Sequence, residues 1–227
     1  MKESKSFTAL LAIALALALL TGAIAVPILC RPFYYAHIGP LGLEEAAGLT
    51  EEEIRTAFDE MLDYCQGGEE FSTGVLKWSD SGKSHFTDVR FLFLLDLQVL
   101  VCALALVTAC LLLMRRGRHQ PARPLGRGPA FWAGAGLGTV LLAVAALAAL
   151  DFDRAFVVFH WIFFPGKDNW RFDPAEDQII QILPQEFFQN CALLILAVLA
   201  VGCAGLIAFD LTRKKGRGKI HSRLQKF

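Results

Sequence analysis

The stretch FLFLLDLQVLVCALALVTACLLLM, from Phe91 to Met114, decides the fold. As a helix at about 1.5 Å per residue it reaches across a hydrocarbon core of ~30 Å. In lipid only a helix or a closed barrel satisfies its own backbone groups, and a run this continuous has no strand alternation. Three more runs of the same kind occur at Phe7–Leu29, Ala130–Leu150 and Phe187–Phe209. The chain is 55 % hydrophobic and 19 % charged, with its apolar residues in blocks. These features predict an all-α membrane protein with four transmembrane helices over 7–29, 91–114, 130–150 and 187–209.

The net charge of zero conceals a separation. The connection after Met114 carries Arg115, Arg116, Arg118, Arg123 and Arg127 without an acid, and the tail beyond Asp210 holds seven Lys or Arg, again without one. Residues 30–90 carry twelve acids against five bases, and residues 151–186 carry seven against three. The positive-inside bias therefore predicts a cytoplasmic loop at 115–129, a cytoplasmic tail at 210–227 and both termini inside. Segments 30–90 and 151–186 are expected to be extracytoplasmic. The basic tail fits an anchor against anionic membrane lipid and gives no case for nucleic acid.

Lys2, Lys5, an apolar run and AIA at Ala23–Ala25 have the outline of a signal peptide, but the run continues through Val26, Ile28 and Leu29. That length favours an uncleaved first span. Cys102, Cys110, Cys191 and Cys203 lie in spans, where cysteine acts as a small apolar residue. Cys30 and Cys65 fall in the outer segment and read as free thiols. Gly134 and Gly138 have the spacing of a close helix contact.

The first outer segment is expected to be partly helical. LTEEEIRTAFDEMLDYC, Leu49–Cys65, opens with Thr50 and Glu53 at capping-box spacing. Ile54, Ala57, Phe58, Met61, Leu62 and Cys65 follow on one face, and Gly67-Gly68 ends the helix. EFSTGVLKW, Glu70–Trp78, reads as a short extended piece.

His37, His85 and His160 belong to the outer segments, while His119 and His221 fall among basic cytoplasmic residues. His85 lies just before the second span with Asp88 three residues on, close enough on a helix to orient the ring. Asp96 and Gln98, inside that span, read as bonds to neighbouring helices. Phe152, Phe156, Phe159 and Phe163 make an aromatic stripe, so DFDRAFVVFHWIFF predicts a helix at the outer interface with His160 beside the stripe. The stripe is equally an interfacial belt.

Neither Gly-x-Ser-x-Gly, His-Glu-x-x-His nor Cys-x-x-Cys occurs. A covalent serine or cysteine intermediate is unsupported. General acid–base chemistry, or a metal held by His37, His85 and His160, remains.

FHWIFFPGKDNWRFDPAEDQIIQILPQEFF, together with FSTGVLKWSDSGKSHFTDVRFLF and FYYAHIGPLGLEEAAGLTEEEIRTAFDEMLDY, resembles a family of bacterial four-span membrane proteins that includes the lipoprotein intramolecular transacylases of Gram-positive bacteria. The resemblance implies a catalytic pair at His85 and His160. Two departures stand out: Gly82 where the family pattern has an acid three residues before the first histidine, and Phe187-Phe188 where it closes on Phe-Trp.

The implied reaction moves the sn-2 acyl chain of a diacylglyceryl-modified cysteine of a lipoprotein onto that cysteine's own α-amino group, giving the lyso form. It needs no metal, cofactor or enzyme nucleophile. His85, oriented by Asp88, is assigned as base and His160 as the group that polarises the ester or protonates the glyceryl oxygen, with the roles exchangeable. Arg90, Asn169, Trp170 and Arg171 are supporting candidates for the oxyanion. The competing readings are a metal-dependent lipid or peptide hydrolase using the outer histidines and a non-enzymatic membrane scaffold.

Overall fold

The computed structural model describes residues 3–224, with side chains as far as Arg213. The basic side chains beyond Arg213, expected to lie against lipid, and Lys2 fall outside that description. Among the described residues the order is α1 (Lys5–Leu29), α2 (Arg31–Ile38), α3 (Leu43–Ala47), α4 (Glu51–Cys65), α5 (Asp80–Arg115), α6 (Pro129–Leu150), α7 (Phe152–Phe163) and α8 (Gln185–Leu224). One short parallel pairing joins Glu3–Ser4 to Gln120–Pro121. Helices α1, α5, α6 and α8 are long and apolar enough to cross a membrane, and many of their Leu and Val side chains are exposed. The protein is an all-α membrane protein with four transmembrane helices.

The chain divides into two compact units. One comprises residues 1–23, 98–145 and 196–227. Here α6 meets α8 at Gly134, where a Cβ would stand only 2.7 Å from the Cys203 carbonyl oxygen. Asp210 is buried, accepts from the Gly128 N–H at 3.1 Å and pairs with Arg123 at 2.9 Å. A buried carboxylate needs such partners, because an unpaired charge in low dielectric is costly.

The other unit comprises residues 24–97 and 146–195 and is built around α4. Thr50 Oγ1 accepts from the Glu53 N–H, and the Glu53 carboxylate accepts from the Thr50 N–H, so the capping box forms. The apolar face of α4 is buried, with Phe58 stacked on Tyr34 at 3.6 Å. Tyr34 Oη donates to the Ile182 carbonyl at 2.8 Å and ties α2 to a 3-10 turn at Gln178–Gln181. Gly67 adopts φ 117°, a left-handed value that favours glycine, directly after α4. All six cysteines are free, and burial pushes the Cys65 thiol up to about 12.

Glu70–Trp78 is a loop, where the sequence suggested an extended piece. Its polar groups find side chains instead of a strand: the Glu60 carboxylate accepts from Ser72 Oγ and from the Gly74 N–H. The loop ends at Ser79, whose Oγ accepts from the Gly82 N–H and caps α5. Helix α5 therefore begins eleven residues before Phe91, and its polar first three turns carry His85. Helix α7 is capped by Asp151, whose side chain accepts from the Arg154 N–H, and stops before Pro165 and Gly166.

Candidate active site

The second unit brings His85 and His160 together, with ring centroids 5.9 Å apart and planes inclined by 29°. His85 comes from the first turns of α5 and His160 from the last turn of α7. The two residues are only 6 and 7 % exposed. Phe164 and Phe172 present edges to His85 at 4.9 and 5.4 Å. Trp170 stacks on His160 at 4.5 Å, and Phe156 packs against it at 4.3 Å. The site is an aromatic box around two imidazoles.

That box sets the protonation. Both rings lie outside the apolar spans, since the Phe91–Met114 run begins beyond His85. Burial lowers the His85 pKa to about 4, the neighbouring His160 adds to the lowering, and Asp88 partly opposes it. Burial also holds His160 below its ordinary value, against a backbone hydrogen bond that raises it. Both imidazoles are neutral at pH 7. His160 Nδ1 lies 2.8 Å from the Phe156 carbonyl oxygen. A carbonyl only accepts, so Nδ1 carries the proton and Nε2 presents a lone pair. His85 Nδ1 is buried without a partner among the described residues.

Asp88 departs from its expected role. It makes no hydrogen bond to His85; it pairs with Lys167 and accepts from Asn169 Nδ2 at 3.1 Å. These contacts, led by the Lys167 bond once burial is overcome, hold its carboxyl below the usual range. Asp88 thus fastens the 164–173 loop onto α5, and its influence on His85 is electrostatic.

Three of the four oxyanion candidates are also engaged elsewhere. Arg90 donates to the Gly67 and Gly68 carbonyls and lies over the Tyr64 ring, which seals the end of α4. Asn169 Nδ2 donates to Asp88 and to Ser84 Oγ, leaving Oδ1 buried and unpartnered. Trp170 Nε1 donates to the Lys167 carbonyl at 3.1 Å. Arg171 is exposed, over the Trp170 ring and loosely paired with Asp168 at 4.0 Å. The donors of Arg90 and Trp170 and the amide nitrogen of Asn169 are thus engaged within the protein, while Arg171 lies at the surface.

His37 stands apart from the pair, its Nδ1 bonded to the Phe33 carbonyl and its ring against Phe33 and Phe187. Among the described residues no three His, Cys, Asp or Glu side chains are grouped so as to hold a metal ion. The three-histidine constellation is not assembled.

Gly82 has a local reason to be glycine. A Cβ there would lie 2.1 Å from Asp177 Oδ1. Asp177 is buried and accepts from the N–H and Oγ of Ser79, so a carboxylate from the 164–178 segment occupies the side-chain space at position 82. Asp177, Lys167, Phe164 and Phe172 all shape the site, and nothing in their local sequence marks them; only the fold brings them to α5.

Three comparisons bear on this arrangement. The family model described as lipoprotein intramolecular transacylase Lit matches residues 9–188. The in meso structure of the membrane integral lipoprotein intramolecular transacylase Lit from Bacillus cereus superposes with a TM-score of 0.79 at 24 % identity, covering 92 % of this chain and 96 % of that one. Structures of the Bacillus cereus protein with a histidine replaced by arginine or alanine give TM-scores of 0.75 and 0.74, at 22 and 23 % identity. They cover 93 and 92 % of this chain and 93 and 94 % of theirs. At these identities the structural likeness establishes the fold. No curated protein sequence matches the chain.

Proposed function

We propose that this chain, which belongs to the family of lipoprotein intramolecular transacylases, moves the sn-2 acyl chain of a diacylglyceryl-modified cysteine to that cysteine's own α-amino group. Family membership makes it an acyltransferase acting on lipoproteins. The observation that carries the residue-level reading is the pair of neutral, buried imidazoles 5.9 Å apart, one with its tautomer fixed.

The reaction asks little of the protein beyond placement and proton movement. The neutral amine attacks the ester carbonyl, a C–N bond forms, and the bond from that carbon to the glyceryl oxygen breaks. One proton leaves the amine and one reaches the glyceryl oxygen, so the balance closes within the substrate. His160 Nε2, held as an acceptor, is the base toward the amine. His85 gives a proton to the leaving oxygen and takes one from the His160 imidazolium beside it, so both rings end neutral; this is the reverse of the order first assigned from sequence. Holding nucleophile and ester in one molecule supplies several kcal/mol of the barrier as proximity. The Cys65 thiol, buried and raised to about 12, is unsuited to covalent catalysis.

The charge separation supports a finer location: both termini and residues 115–129 in the cytoplasm, residues 30–90 and 151–186 outside. The exposed Val157, Val158, Trp161 and Ile162 of α7 suit contact with membrane lipid or the substrate's acyl chains. Expressing the chain in a bacterium with diacylglyceryl lipoproteins, followed by mass spectrometry of their N-terminal lipopeptides, tests the activity. N-acyl, S-monoacylglyceryl peptides are expected, formed equally in strong chelator and still formed by the Ser84→Ala and Cys65→Ala variants, each of which lacks a candidate nucleophile. Loss of product in chelator would support metal-dependent hydrolysis instead.

A further inference from the structure

Four buried side-chain polar atoms lack partners among the described residues, and two of them, His85 Nδ1 and Asn169 Oδ1, belong to this site. Buried polar groups are normally paired, so an orphan beside a reactive pair marks a place for a ligand atom. The orientation of the Asn169 amide follows from its neighbours. Asp88, ionised beside Lys167, only accepts, so the atom 3.1 Å from it is Nδ2. Ser84 Oγ takes the same nitrogen at 3.3 Å. Oδ1 is therefore the free end, and it is an acceptor. Its position is fixed from both sides: Ser84 and Asp88 flank His85 on α5, and the adjoining Trp170 stacks on His160.

We propose that Asn169 Oδ1 positions the substrate's α-amino group by accepting one of its N–H bonds, while the other N–H faces His160 Nε2. Among the reacting groups of a diacylglyceryl cysteine, the ester carbonyl and the glyceryl oxygen only accept, so the amine is the group that an orphan acceptor selects. A neutral primary amine has two N–H bonds: one proton moves to the base, and the other remains in place to hold the nitrogen lone pair toward the ester. Asn169 thereby makes the site selective for a primary amine. The inference rests on the acyl-transfer reading above and adds a contact to it.

The test is a cycle between enzyme and substrate. A synthetic diacylglyceryl lipopeptide and its N-methyl analogue, a secondary amine with a single N–H, are given to the full-length protein in lipid bilayers. The wild type and the Asn169→Ala and Asn169→Ser variants are compared by kcat/KM, and the serine variant serves if the alanine variant does not accumulate. The wild type is expected to lose about 10- to 100-fold on N-methylation. Either variant should transfer the native lipopeptide about 10- to 100-fold more slowly and be penalised only a few-fold more by the methyl group. Steric and basicity effects of the methyl would burden all three proteins alike, so equal penalties would overturn the assignment while leaving the reaction intact. Absence of transfer by the wild type would overturn the reaction and this contact together.

Discussion

Nδ1 of His160 donates to the Phe156 carbonyl oxygen at 2.8 Å, one helical turn back along α7. That bond fixes which nitrogen holds the proton, and it leaves Nε2 as a base pointed away from the helix backbone. His85, with its rings' separation of 5.9 Å from His160, has no comparable anchor and is held by aromatic edges.

His160→Ala and His85→Ala should each lower lyso-lipoprotein formation by about 10²–10⁴-fold, the usual cost of a general acid or base. Because both serve one transition state, the double variant should lose far less than the product of the two factors. His37→Ala should be mild, since His37 lies against Phe33 and Phe187 apart from the pair. Rates at matched membrane expression check this, and near-normal turnover in either single variant would refute the pairing.

The pH dependence follows from two lowered imidazoles. With both imidazoles held below the ordinary histidine value by burial, kcat/KM should rise with pH through the titration of the substrate amine, whose pKa is about 7.7–8.0. Stability should run the same way for a different reason. Below the ordinary value of about 6.5 the unfolded chain takes up protons that the folded rings refuse. Stability is therefore full above that value and is lost as pH falls from there toward about 4. Thermal unfolding between pH 7 and 5 should show a drop that shrinks in the His85→Gln/His160→Gln double variant; an unchanged drop would contradict the buried neutral pair.

Gly82→Ala places a methyl 2.1 Å from Asp177 Oδ1 and should destabilise the protein by about 1–3 kcal/mol, as overpacking does. Asp177→Ala should also destabilise, because it frees the Ser79 cap. On that background, however, Gly82→Ala should add little. Additive losses in thermal unfolding would mean that the two positions do not share one space.

Much of this was legible in the sequence where a local rule sufficed. Blocked apolar runs gave the four-span class, Thr50 and Glu53 announced the cap of α4, and the Phe152–Phe163 spacing announced α7. The sequence also marked His85 and His160 as candidates, and the fold sets them face to face. What stayed hidden depended on partners far along the chain. Asp88, three residues from His85, is drawn to Lys167, 79 positions away. Arg90 has the position of a catalytic cation at a membrane boundary, yet the carbonyls at Gly67 and Gly68 claim it. The start of α5 at Asp80 was obscured by its polar composition, because the residue that supports its cap is Asp177.

Topology is open to direct labelling. Val75 is 65 % exposed and Leu125 87 %, so single cysteines at these positions are accessible in a cysteine-free background. An impermeant reagent applied to intact cells should label Val75→Cys and leave Leu125→Cys unlabelled until the membrane is opened. The opposite pattern would invert the proposed orientation.

The most direct measurement follows the acyl chain itself. A synthetic lipopeptide carrying an isotope-labelled sn-2 chain is mixed with an equal amount of one that bears a mass-tagged peptide and an unlabelled chain, and the protein is added in bilayers. Intramolecular transfer predicts that every labelled amide sits on the untagged peptide, and that His85→Ala and His160→Ala form almost none. Labelled amide on the tagged peptide, free labelled fatty acid as the main product, or undiminished amide from either histidine variant would contradict the account.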